Sequence, residues 1–407
     1  MAPSLLWIVN QPPLPAVTGS RVRSLALIRE LVAQGWAVSL FSLDTGVAAQ
    51  RADLDELRGL CAEVRLMAFE TSTAARTARI GADLLRGRAF QRSMFRAPDA
   101  VRAAHAWIRE GDFDAIVAAV LYMVPYVPED HLARTLLDSQ NVDTRRIATM
   151  ARALWPRPRG IVARAQQRPV QRYEERVAAQ AGGVLAASAP EARWFERVAP
   201  GRVTVVPNGV DARAVVPGGG AGTGSQVLFV GSMDYGANVD AARELLREIA
   251  PRLRSPGARI ALVGADPPAE LRVAAAAAPV PVEVTGRVQD IAEWWRSSRL
   301  LAVPLRIGGG TRLKILEAMA YGLPVVTTSL GCEGLDVEHG RDVLVADDPV
   351  QFARWVDRVL VDDDLARDLA AHGRETVERG YDWRSSGEAL GAALRRLAAS
   401  QRAPSTS

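Results

Sequence analysis

The residues best suited to chemistry fall in one stretch, Pro304-Leu-Arg-Ile-Gly-Gly-Gly-Thr-Arg-Leu-Lys-Ile-Leu-Glu-Ala-Met-Ala-Tyr-Gly-Leu-Pro324. Just before it, Leu300–Val303 reads as a buried strand that ends in this loop. Gly308, Gly309 and Gly310 allow a backbone to approach an anion closely. A helix starting near Thr311 would aim its free N–H groups at that anion. Arg312 and Lys314 add positive charge at the same end. Cations sit poorly against the positive pole of a helix, so their presence there points to a bound anion, and a diphosphate suits. Glu317 shares a helix face with Lys314 and can accept bonds from ribose hydroxyls. Gly322 and Pro324 end the helix. A plain surface helix with a Lys–Glu pair is the alternative, but loop, charges and helix agree better with a phosphate site.

Lys314 is the only lysine among 50 basic residues; the other 49 are arginine. A compact ammonium rather than a planar fork is therefore expected to matter there. The four histidines, His105, His131, His339 and His372, have no metal-ligand or triad spacing. Asp53-Leu-Asp55 reads as a helix face, Asp112-Phe-Asp114 as the turn before a strand, and Asp362–Asp364 as a helix start. No essential metal is expected.

These residues must be positioned by a larger frame. A chain of 407 residues exceeds one ordinary core and suits two α/β domains. Strand-like runs such as Leu5–Val9, Ala37–Leu43 and Thr135–Asp138 alternate with amphipathic stretches such as Arg21–Gln34 and Arg172–Gln180. The second half repeats the scheme from Gln226–Val230 to Asp342–Val345. That alternation predicts two doubly wound parallel sheets facing each other across a cleft, with ligands beyond the carboxyl ends of the strands. The expected boundaries are a first domain over 1–210, a Gly-rich linker over 211–225 and a second domain over 226–382. A helix over 383–400 would cross back to the first domain, and 401–407 would be a disordered tail.

With 48% apolar and 24% charged residues the composition is that of a globular protein. Cys61 and Cys332 offer no disulfide framework, and the start of the chain carries no basic n-region, so a cytoplasmic protein is expected. The stretch Ala115–Val127 is too short to span a bilayer. Residues 1–200 hold 26 arginines against 20 acids, and the rest is net negative. Arginine clusters at Arg76–Arg96 and Arg145–Arg176 allow peripheral contact with an anionic membrane, on the inner face of the cell membrane. They lack the aromatic interleaving of a nucleic-acid binder, so no nucleic acid is expected.

The 304–324 segment resembles the donor-binding loop and helix of family 4 glycosyltransferases. Other stretches agree in order: Pro12–Arg23 with Gly19, Leu137–Asp143, Arg172–Arg176, Val206–Asp211, Phe229–Tyr235 and Val284–Val288. The resemblance covers about the whole chain. It implies a GT-B fold of two Rossmann-like domains and a retaining, metal-independent transferase without cofactor, active in polysaccharide biosynthesis. The substrates would be a UDP- or GDP-linked sugar and a saccharide, lipid-linked or small-molecule acceptor. Arg312 and Lys314 would be catalytic. Gly19, Ser232, Arg287, Val288, Gly308, Gly309, Gly310, Thr311 and Glu317 would bind the donor. Three departures stand out. Gly309 replaces the first of the family's two glutamates. The loop Gly231–Asn238 has no cation, which leaves the diphosphate to Arg312, Lys314 and Arg306. The region Ala118–Tyr126 has no histidine, only Tyr122 and Tyr126. The Gly309 departure keeps a catalytically impaired nucleotide-sugar binder as the alternative.

Overall fold

The computed structural model describes residues 2–44, 51–69, 72–153, 155–216, 218, 224–233, 235–308 and 312–402. Two compact units emerge: Met1–Asn208 with Trp383–Ser407, and Gly209–Asp382.

In the first unit seven strands pair in parallel: β1 (Ser4–Val9), β2 (Ala37–Asp44), β3 (Glu63–Ala68), β4 (Ala115–Ala119), β5 (Thr135–Ser139), β6 (Gly183–Ala186) and β7 (Val203–Val205). Their order is β3-β2-β1-β4-β5-β6-β7. Between them run α1 (Gly19–Ala33), α2 (Arg51–Leu60), α3 (Thr73–Leu85), α4 (Gln91–Met94), α5 (Pro98–Glu110), α6 (Asp143–Ala153), α7 (Pro158–Gln180) and α8 (Ala189–Phe195). The central strands are apolar on both faces because helices cover both. Leu5, Leu6, Trp7 and Ile8 are all fully buried, each contributing about 1.5–3 kcal/mol by burial.

The second unit orders its parallel strands β8 (Gln226–Val230), β9 (Arg259–Val263), β10 (Val282–Gly286), β11 (Leu300–Val303), β12 (Val325–Thr327) and β13 (Leu344–Val345) as β10-β9-β8-β11-β12-β13. Its helices are α9 (Gly236–Glu244), α10 (Ala269–Ala276), α11 (Ala292–Ser297), α12 (Leu313–Ala320), α13 (Pro349–Val361) and α14 (Asp363–Gly380). Helix starts follow local chemistry. Asp348 and Asp362 cap α13 and α14, accepting from Gln351 N at 2.9 Å and Leu365 N at 3.0 Å.

A last helix, α15 (Trp383–Arg402), belongs to the first unit and packs on α1. The fit is close: a Cβ at Gly387 would lie 2.3 Å from the Cβ of Glu30. The second unit begins at Gly209, earlier than the segment 211–225 predicted as a linker. Val210 donates to Tyr381 O at 2.8 Å, and Ala212 is fully buried in the second core. Residues 217, 219–223 and 403–407 lie outside the described residues. So do the predicted linker's central glycines and most of the predicted tail.

Both sheets reverse strand order beside their first strand, between β1 and β4 and between β8 and β11. Such switch points open a crevice at the carboxyl ends of the strands.

Candidate functional site

The loops that leave β8 and β11 flank the switch point of the second sheet. Gly231 and Ser232 follow β8. Gly231 has no room for a side chain, since a Cβ there would fall 2.6 Å from Asn238 Nδ2. Asn238, on α9, donates through Nδ2 to Ser232 O at 2.8 Å. Its other amide atom, Oδ1, accepts from Lys314 Nζ at 2.9 Å. One asparagine thus ties the β8 loop to the sole lysine. The same ammonium lies 4.7 Å from the centre of the Phe229 ring, a cation–π contact.

Lys314 is half-buried on α12. Desolvation and then the Arg312 charge push its ammonium down to about 7, against the pull of Glu317. Burial pushes the Glu317 carboxyl upward, opposed by Lys314. Lys314 and Glu317 share a helix face, but no salt bridge joins them. The Glu317 carboxylate has no hydrogen-bond partner among the described residues.

Arg312 caps α12 rather than lying inside it, so the helix starts at Leu313, later than the predicted Thr311. Its guanidinium is buried. Gly308 has φ +117°, a conformation reserved for glycine. A Cβ there would meet the Tyr235 hydroxyl at 3.2 Å, Ala237 Cβ at 3.3 Å and Arg312 Nη2 at 3.6 Å. Gly309, Gly310 and Thr311 lie outside the described residues.

Ser232, Gly308, Arg312, Lys314 and Glu317 are thereby gathered around one end of the sheet. Arg306, expected as a further phosphate cation, is instead held by Asp240 at 2.9 Å and Glu244 at 2.7 Å. Arg287 and Val288 follow β10, two strands away from β8 on the same edge. Arg287 is exposed, while Val288 leans on the core. The strand ends are laced together: Gly231 N donates to Val263 O at 3.0 Å, and Gly264 N to Gly286 O at 3.2 Å. Gly264 is pressed against Gly231, where a Cβ would stand 1.9 Å from the carbonyl oxygen. Asn238 and Gly264 escaped the sequence reading. A lone Asn and a lone Gly carry no periodic signal, and only their neighbours in space reveal them.

Gly19 starts α1 in the first unit. Arg21 braces the loop before it, donating to Pro12 O at 2.6 Å and Leu14 O at 2.8 Å. Arg23 is fully buried and pairs with Asp138 at 2.6 Å, and also reaches Val206 O at 2.8 Å and Asn208 Oδ1 at 2.9 Å. Two separated sequence segments, at Asp138 and at Val206–Asn208, converge on this one guanidinium. Beyond β4, Val120 takes φ +67°, a strained setting for a β-branched residue. Tyr122 contacts Arg146, which pairs with Asp143 at 2.6 Å. Glu174 accepts from the N–H groups of Asp143 at 2.7 Å and Thr144 at 2.9 Å. Its carboxyl is pushed up to about 7 by burial, then by Asp143. Tyr126 serves the core instead, its hydroxyl held between Phe95 O and Ala97 N. Among the described residues no three His, Cys, Asp or Glu side chains gather to hold a metal ion.

Comparison with known proteins agrees with this geometry. Residues 17–214 match the model described as Glycosyltransferase Family 4, and residues 224–362 the one described as Glycosyl transferases group 1. A stretch of 104 residues is 30% identical to a D-inositol 3-phosphate glycosyltransferase of Corynebacterium jeikeium, covering 25% of this chain and 24% of that one. The matched stretches span a quarter or less of the curated relatives' own length. Sucrose-phosphate synthase from Thermosynechococcus elongatus has the same fold. Its TM-score is 0.73 at 19% identity, over 98% of this chain and 100% of that one. Anabaena Alr3699/HepE, solved in complex with UDP and glucose, scores 0.62 at 15% identity over 97% and 99%. Two parallel-sheet α/β units of GT-B type, each matched by a model of the same group, show that the chain belongs to the family 4, group 1 glycosyltransferases.

Proposed function

We propose that the protein is a retaining glycosyltransferase that uses a UDP- or GDP-linked sugar and needs no metal or other cofactor. The observation that carries this reading is the seat of Lys314. The only lysine of the chain is half-buried between an asparagine oxygen and an aromatic face, and its charge is disfavoured until an anion arrives. A diphosphate placed between Ser232, Gly308 and Arg312 is such an anion. A fold neighbour solved in complex with UDP and glucose supports the same ligand class.

In this reading Arg312, Lys314 and the backbone amides of 308–311 stabilise the charge that builds on the leaving diphosphate. The bond between sugar C1 and the phosphate oxygen breaks, the acceptor oxygen bonds to C1 on the same face, and the departing phosphate takes the acceptor proton. No dedicated base is then needed. Glu317 accepts from the ribose hydroxyls, and Arg287 and Val288 flank the base. The acceptor is a saccharide, a lipid-linked sugar or a small molecule, as in polysaccharide synthesis. The setting is cytoplasmic, with peripheral contact at the inner face of the cell membrane. Among the described residues no helix is long and apolar enough to cross a membrane.

The test is a thermal-shift and calorimetry panel of UDP, GDP, ADP and dTDP, with their sugars, on wild type and Lys314→Ala. One nucleotide should stabilise wild type and not the variant. A Lys314→Ala protein with wild-type affinity would remove the lysine from the site.

A further inference from the structure

Resting on that reading, we propose that the tip of the α6–α7 hairpin docks on an anionic lipid bilayer. The two helices pack on each other and run antiparallel, since Glu174 in α7 caps the start of α6 at Asp143 and Thr144. From Glu174 back to Pro158 is about 24 Å of helix, so the turn around Trp155 lies that far along α7 from the start of α6.

Composition and exposure single out this arm. Residues 144–173 contain eight arginines and no acid. Arg152, Arg157, Arg159, Arg164, Arg168 and Arg172 are exposed, and none has a carboxylate partner among the described residues. Three apolar side chains stand out among them: Trp155 is 54%, Ile161 50% and Val162 46% exposed. Arg164 lies over the Trp155 ring at 5.2 Å. Ile161 is followed at helical spacing by Arg164, Arg168 and Arg172, so apolar and basic groups share one exposed face. The opposite face, with Ala163, Val170, Tyr173 and Val177, is buried in the first core.

A solvated helix would balance its arginines with acids and hide its tryptophan. A site for a soluble polyanion would need the arginines but not the exposed Trp155, Ile161 and Val162. A bilayer interface uses both, with the indole at headgroup depth and guanidinium groups on acidic lipid. An enzyme with a lipid-linked acceptor would thereby be held where that acceptor lies.

The experiment is sedimentation of the full chain with vesicles of phosphatidylcholine alone and with added phosphatidylglycerol, with UDP affinity and melting temperature measured alongside. The protein should sediment only with the acidic vesicles and come off in high salt. Arg164→Glu with Arg168→Glu should weaken binding by about tenfold or more. Trp155→Ala should weaken it several-fold, and both variants should keep wild-type UDP affinity and melting temperature. No sedimentation with acidic vesicles overturns the proposal, and retained UDP binding then leaves the donor site standing. Vesicle binding that Trp155→Ala and Ile161→Ala leave unchanged, and that heparin fully displaces, overturns it in favour of a polyanion site.

Discussion

Lys314 donates to the side-chain oxygen of Asn238 at 2.9 Å, and among the described residues no carboxylate closes on it. Its ammonium is lowered from 10.5 to about 7 by burial first and Arg312 second. Between those values the unfolded chain holds the proton and the folded chain releases it, so this residue's contribution to stability rises with pH across that window. Lys314→Met should therefore raise the melting temperature of the ligand-free protein by a few degrees at pH 6 and much less at pH 10. An equal gain at both pH values would sink the idea.

The same residue makes nucleotide binding pH-dependent in the opposite sense. A diphosphate favours the charged lysine, so binding above pH 7 takes up a proton. Affinity should fall as pH rises from about 7 to 9, by up to roughly tenfold per unit. Calorimetry in two buffers of different ionisation enthalpy would read the proton directly. Lys314→Arg, always charged, should flatten the pH slope even if it binds less tightly.

Gly308 tests the loop. Its φ of +117° and three contacts within 3.6 Å leave an alanine both strained and crowded. Gly308→Ala should cost about 1–3 kcal/mol locally and weaken nucleotide binding about tenfold. Gly201, at φ +70° with nothing near its Cβ position, is the control. Gly201→Ala should leave nucleotide affinity unchanged.

Arg23 and Asp138 are both fully buried. Removing one partner strands the other charge, so Asp138→Asn should destabilise the first unit by about 3–5 kcal/mol. Urea unfolding would show it. A double replacement by apolar residues should lose less than the sum of the single changes.

The α1–α15 seam depends most on Gly387, whose Cβ would lie 2.3 Å from the Cβ of Glu30; at Gly391 the nearest atom is the flexible amide end of Gln34, Oε1 at 2.1 Å. Gly387→Leu should lift α15 from α1, lower the melting temperature and speed proteolysis near residue 383. Unchanged proteolysis would mean that the seam is looser than this geometry.

Much of this was legible in the chain itself. Buried parallel strands are written as continuous apolar runs, and β1, β8 and β11 lie where those runs lie. The glycine loop, the charges after it and Glu317 stand together in sequence because one loop and one helical turn hold them. Other elements left little trace. Helix α7 begins at Pro158, well before the amphipathic stretch from Arg172, and carries Pro169 inside it. Arginines on its exposed face blur the helical period.

Sequence by itself determined the alternation of strands and helices, the loop that suits an anion and the charge it carries, because these depend on residues close along the chain. Tertiary structure alone decided which cations are free to serve. Arg306 adjoins the loop in sequence yet is neutralised by Asp240 and Glu244 on α9, whereas Lys314, with no salt bridge among the described residues, meets the neutral oxygen of Asn238 and the face of Phe229. The reason is physical. A charge is set by what surrounds it in space, and α9 brings to the loop the Asp240 carboxylate and the Asn238 amide from 66 and 76 residues away.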